Sequence, residues 1–185
     1  MNITQKNEYC TETHNQIIGW TSNCDTKASI VLAFIGVLVS IAFTSEYLLS
    51  AIETQVSNII IYWRDGIGTF CIPSTMMFVS LIGFVLFMGL CCYNAISTLN
   101  ANTKCKSNSI IFFGKIARKS EDEYIEQVNN TTDKEYESDK LSQIYTCAKI
   151  CAKKFENYKK SIVHLSIGLL FFVCFIISVI MLKAI

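Results

Sequence analysis

The 185-residue chain is 51% hydrophobic and 17% charged, with a mean hydropathy of +0.38 and a formal net charge of +1. That is too apolar and too poor in charge for an ordinary soluble domain of this length, and a near-neutral balance gives no reason to expect nucleic acid as a partner. Three stretches lack Asp, Glu, Lys and Arg altogether: 28–45, 66–103 and 161–182. A bilayer core about 30 Å thick takes about 20 apolar helical residues to cross. Each stretch meets or approaches that length, so the lipid bilayer is the first partner the sequence implies.

In chain order, residues 1–27 form a polar N-terminal segment, helical near Gln16 to Trp20. It has no apolar run of the kind that forms a cleavable signal peptide. Residues 28–97 read as a transmembrane hairpin of two helices joined near Glu53 to Pro73, with Tyr47, Leu48 and Leu49 able to extend the first. Pro73 is the one proline in the chain. It is expected to open the second helix, where its missing N–H costs nothing. Residues 98–160 are the one sizeable polar region, and 161–185 hold the third span and a short tail.

Orientation follows from basic residues near the spans. Residues 98–160 contain twelve Lys and Arg, and 50–72 contain only Arg64. The 98–160 region and the N-terminus are therefore expected in the cytoplasm, with the C-terminus outside. The fold class expected is an all-α membrane protein with three transmembrane helices and a small helical cytoplasmic module.

Within 98–160, Ile110 to Ile116 is a short apolar patch that turns at Gly114. Ser120 and Glu123 have the S-x-x-E spacing of a capping box, which predicts a helix through Gln127. Residues 129–139 are poor in apolar side chains and read as a loop. From Leu141 onward, Ile144, Tyr145, Ala148, Ala152, Phe155 and Ile162 recur at steps of three and four on one side. No Pro or Gly interrupts the passage from Leu141 into the third span, which predicts one continuous helix to Leu182.

Constellations that carry catalysis are missing. His14 and His164 are the only histidines, and the chain has neither a Lys-bearing phosphate loop nor a nucleophile elbow. Cys147 and Cys151 share a helix face, but a metal needs three or four ligands. Neither a metal, a cofactor nor enzymatic activity is expected. With no carboxylate or ammonium inside the spans, a small secondary transporter is disfavoured. Asp25 and Lys27, at the border of the first span, have a simple structural reading: Asp25 favours a helix N-terminus, and Lys27 reaches the headgroups. The cytoplasmic aromatics are interleaved with basic residues. Such a surface can stack a base and hold its phosphate, or it can pack against anionic headgroups.

The ordered set of segments resembles a known family. Cys24-Asp25-Thr26-Lys27-Ala28-Ser29-Ile30 is similar to an A-D-x-K-A-S-I signature at the mouth of a first span, with Cys24 in place of the usual Ala. Ile110 to Ala117 (I-I-F-F-G-K-I-A), followed by Glu121 to Tyr124 (E-D-E-Y), resembles an F-F-G block before an acidic helix start. Leu141 to Phe155 resembles a helix with Q-I-Y and a basic-aromatic pair ahead of the last span. The chain resembles the Pycsar membrane effector (PycTM) family of bacterial anti-phage systems, to which SLATT two-helix effectors look related. The match covers about residues 15 to 182.

The resemblance implies a receptor for a cyclic pyrimidine mononucleotide, cCMP or cUMP, made by a partner cyclase after infection. Such effectors then form a homo-oligomer and impair the inner membrane. It makes the aromatic-basic region a nucleotide sensor, with Arg118, Tyr145, Lys149 and Lys154 as contacts. Asp25, Lys27, Phe112, Phe113 and Gly114 would couple that region to the membrane. Gly36, Ser40, Gly83, Gly89 and Gly168 would permit close contacts between subunits. The alternatives are an inner-membrane immunity or interaction protein, or a small channel subunit, neither needing a nucleotide.

Overall fold

A computed structural model describes residues 3–65, 72–100 and 109–184. Lys104, Lys106 and residues 66–71 of the connection between the first two spans lie outside the described residues. Among those described, every regular element is a helix: α1 (Ile3–Thr44), α2 (Glu46–Asp65), α3 (Ile72–Leu99), α4 (Phe113–Ile116), α5 (Glu121–Asn130) and α6 (Asp133–Ala184). Three of them, α1, α3 and α6, are long and apolar enough to cross a membrane. The expectation of three spans with an unbroken last helix is met.

The helix ends follow local chemistry. Ser120 caps α5, its hydroxyl accepting from the Glu123 N–H while the Glu123 carboxylate accepts from the Ser120 N–H. This is the capping box read from the sequence. Pro73 sits in the first turn of α3, as expected. Ser45 is the one non-helical residue between α1 and α2, and its carbonyl accepts from the N–H groups of Leu48 and Leu49. Just upstream, the Ser40 and Thr44 hydroxyls donate to the carbonyls of Gly36 and Ser40. Such back-bonding loosens a helix at its end.

Three sequence expectations are corrected. The N-terminal segment is helical from Ile3, not only near Gln16 to Trp20, so Asp25 lies inside α1 rather than at a helix start. The connection from Glu53 onward is helical through Asp65, since no Gly or Pro falls between Val37 and Asp65 to stop it. The 129–139 stretch is not a loop. It contains the end of α5, two linking residues and the start of α6. Thr132 and Glu135 form a second reciprocal cap there. Low apolar content marked solvent exposure, which a capped helix tolerates.

The chain forms two compact units, Met1–Lys27 with Thr98–Glu156, and Ala28–Ser97 with Asn157–Ile185. The second is the apolar one. Its core joins Val31, Ile35, Leu38 and Ala42 of α1 to Phe84, Met88, Cys91 and Ala95 of α3 and Phe172, Phe175 and Val179 of α6. In lipid the hydrophobic effect supplies little helix–helix attraction, so close packing and polar pairs carry it. The rings of Phe84 and Phe172 lie 5.0 Å apart, and those of Phe87 and Phe171 stack at 5.6 Å. Asn94 donates to His164 Nδ1 at 3.2 Å, and the Cys91 thiol donates to the Ser161 carbonyl at 3.0 Å. Gly83 leaves room for Phe171, whose ring would lie 2.5 Å from an added Cβ. Gly168 likewise faces Met88, 2.7 Å from such a Cβ. These two glycines therefore serve contacts within the subunit, whereas Gly36 and Gly89 face open space.

Candidate functional site

The other unit is held by α1 and α6 lying side by side. Polar contacts join them at sequence separations of 129 to 133 residues over their whole shared length. A nearly constant separation means that the two helices run parallel. On α1, Cys10, Ile17 and Cys24 are buried, with His14 and Thr21 half-buried between them. Their spacing alternates four and three, the 3.5-residue repeat of a coiled-coil seam. On α6 the same repeat runs through Lys140, Ile144, Cys147, Cys151 and Lys154, all half-buried or buried.

The α6 seam shares only Ile144 with the apolar stripe that the sequence singles out. Leu141, Tyr145, Ala152 and Phe155 of that stripe are exposed. The packed face lies one residue further round, about 100° at 3.6 residues per turn. It contains two lysines because α1 provides partners for both. Lys140 Nζ donates to Thr11 Oγ1 at 2.7 Å. Lys154, 7% exposed, donates to both carboxylate oxygens of Asp25 at 2.6 and 2.8 Å. Cys147 Sγ lies 3.9 Å from His14 Nε2 of α1. Lys6 pairs with Glu137 near the far end. No group of three or more metal-binding side chains is present among the described residues.

The segment ahead of α4 is pinned by Asp139. Its carboxylate accepts from the Ser109 hydroxyl and the Ile110 N–H, each at 2.8 Å. The Ser109 oxygen in turn accepts from the N–H groups of Ile111 and Phe112. This fixes the path into Phe112; Phe113 and Gly114 then lie in the first turn of α4, so the turn expected at Gly114 comes only at Ala117 and Arg118. The two Phe rings lie 4.8 Å apart, and Phe112 covers Gly114, whose added Cβ would stand 2.8 Å from its ring. Phe113 is 68% exposed.

Two surfaces of this unit have contrasting chemistry. Between α5 and the start of α6 is a groove of 720 Å³ lined by Glu123, Glu126, Gln127, Glu135 and Asp139, among others. Four carboxylates repel a phosphate, and three of them already serve caps or the 109–112 segment. Further along α6, Lys149 Nζ lies 4.5 Å from the centre of the Tyr145 ring. Tyr145 is 62% exposed. This places an exposed aromatic ring and a cation together, two groups that a nucleotide site can use.

Of the contacts predicted from sequence, the structure thus joins Tyr145 and Lys149. Lys154 is engaged with Asp25, and Arg118 stands in the exposed turn after α4. Lys27 is exposed at the end of this unit's share of α1. Sequence reasoning missed the α1 seam residues and the pairing of Asp25 with Lys154. The four-three spacing of Cys10, His14, Ile17, Thr21 and Cys24 was a signal for the first. Nothing in the order of residues marks the second, since its partners are 129 positions apart.

The family described as the Pycsar effector protein domain matches residues 9–181. The Pycsar effector protein GmPycTM of Gulbenkiania mobilis is 30% identical over 167 residues, covering 84% of this chain and 83% of the relative. No solved structure matches. The chain belongs to the Pycsar effector family.

Proposed function

We propose that this protein is an anti-phage effector that a cyclic pyrimidine mononucleotide, cCMP or cUMP, switches from a resting to an assembled state that impairs the bacterial inner membrane. Membership in the Pycsar effector family implies the defence role. The observation that carries the rest is the dual service of two helices. α1 and α6 form the parallel frame of the polar unit, and the same two helices supply two of the three candidate spans. A ligand that changes their pairing therefore acts on elements that enter the bilayer.

In this reading Tyr145 stacks the pyrimidine and Lys149, with Arg118, neutralises the single phosphate charge. Lys154 joins them only if its pair with Asp25 opens. Asp25 and Lys27, beside the first span, and Phe112, Phe113 and Gly114 at the start of α4 transmit the change. The N-terminus and residues 98–160 face the cytoplasm, where a cyclase would deliver the ligand. The nucleotide must bind the assembled state more tightly than the resting one, because equal affinity shifts nothing.

The test is dye release from proteoliposomes containing the purified full chain. Release is expected on adding cCMP or cUMP and not on adding 3′,5′-cAMP. Equal release with every nucleotide and with none would refute the ligand-gated reading and leave the immunity or channel-subunit alternatives.

A further inference from the structure

We infer that the exposed stripe of α6, formed by Leu141, Tyr145, Ala148, Ala152 and Phe155, is the surface on which a second copy of this chain docks. The inference rests on the reading that the effector assembles, and does not depend on which nucleotide it reads. Leu141 is 43% exposed, Tyr145 62% and Phe155 39%. Ala152 is exposed and Ala148 half-exposed. All five lie in one unit and on one unbroken helix.

Three features select a second copy as the occupant. The first is spacing: 141, 145, 148, 152 and 155 step by four and three. That repeat keeps a stripe facing a parallel helix of the same repeat, as in a two-stranded coil. A single copy already uses one such seam, Lys140 to Lys154, to hold α1. The exposed stripe is a second seam, about 100° away, which leaves space for another helix beside α1. The second feature is shape. Ala148 and Ala152, in the middle, let two helix backbones approach, while Leu141 and Phe155 close the ends. The third is orientation. α6 continues as a candidate span, so a bilayer presents every copy of the stripe in the same direction, at the high local concentration of a surface-bound protein.

The flanking residues agree. In a parallel pair, the positions opposite Lys149 and Glu156 are Ile144 and Cys151 of the second copy, which already belong to the seam with α1, so no like charges meet across the joint. A lipid surface fits less well. Headgroup binding favours a net excess of basic residues beside an apolar face, whereas this stripe has small alanines at its centre and an edge of Ser142, Lys149 and Glu156, whose charges cancel. Tyr145 belongs both to this stripe and to the proposed nucleotide contact. A base stacked on it would sit at the joint between copies and bias their association.

The test places a benzophenone amino acid at position 141 or 155 of the full chain in proteoliposomes, with position 126 on α5 as control. Irradiation with and without cCMP or cUMP is expected to give covalent dimers or larger species from 141 and 155 and none from 126. Ala152→Glu, which sets a charge in the joint, is expected to lower that yield about tenfold. Because a charged variant can also unfold, its helicity is checked by circular dichroism, and the two benzophenone sites test the surface without it. Monomers only, or adducts to lipid only, in every arm would overturn the inference. Copy-to-copy linkage without nucleotide-dependent dye release would support this surface and refute the nucleotide reading. Dye release without linkage would do the reverse.

Discussion

The pairing of Asp25 with Lys154 shows how a single residue reverses an expectation. A lysine in the packed face of a helix is costly unless its charge is met. Two carboxylate oxygens within 2.8 Å meet it here. The partners are not equally committed: the Lys154 side chain is 9% exposed and that of Asp25 is 35% exposed. Removing each should therefore have unequal effects. Asp25→Asn leaves a buried ammonium without its counter-charge and is expected to destabilise the protein by about 2 kcal/mol, less than a fully buried pair because water still reaches the carboxylate side. Lys154→Met keeps the packing and leaves Asp25 able to meet water, so it should cost less than half as much. Chemical unfolding in detergent, followed by far-ultraviolet dichroism, compares the two. Equal and negligible shifts would mean that the pair contributes nothing to stability.

At the scale of elements, the contact between α3 and α6 rests on a missing side chain. Gly83 lies under Phe171, and any Cβ there would come within 2.5 Å of the ring. Gly83→Val is expected to push the helices apart or displace Phe171, at about 1 to 3 kcal/mol. Gly89→Val, where an added Cβ meets nothing within 4 Å, should be near neutral on this account. Thermal unfolding of both variants in the same detergent makes the comparison, and similar losses would show that the close approach at Gly83 is unimportant. How much of these elements was legible depended on the range of the determinant. Ser120 with Glu123, and Pro73, act within one turn, so the starts of α5 and α3 could be read directly. Thr132 with Glu135 was just as local, but it was hidden inside a stretch judged by its polarity. The N-terminal part of α1 was missed because its seam mixes Cys, His, Thr and Ile, and so lacks the apolar periodicity that marks a helix.

For the whole molecule, the testable matter is which side of the membrane the polar unit occupies. Residues 1–27 and 98–156 belong to one unit, so they are expected on the same side, and the lysine distribution assigns them to the cytoplasm. Trypsin added outside intact spheroplasts should spare Lys134, which is exposed in the first turn of α6. The same protease added to inverted vesicles should cut there. Cleavage in spheroplasts would invert the topology and remove the proposed access to a cytoplasmic nucleotide.

The sequence by itself determined the solvent. Three charge-free runs long enough for a bilayer cannot be placed comfortably in water, and that inference needs only composition and length. It also determined the unbroken last helix, since no Pro or Gly falls between Leu141 and the start of the third span at Ser161. Only the tertiary structure decided which face of α6 meets α1. Apolarity pointed to Leu141, Ile144, Tyr145, Ala148, Ala152, Phe155 and Ile162, yet of these only Ile144 is in the face packed on α1, which also contains Lys140 and Lys154. The reason is that the cost of burying a charge depends on its partner, and Asp25 becomes that partner only once α1 and α6 lie parallel, 129 residues apart along the chain.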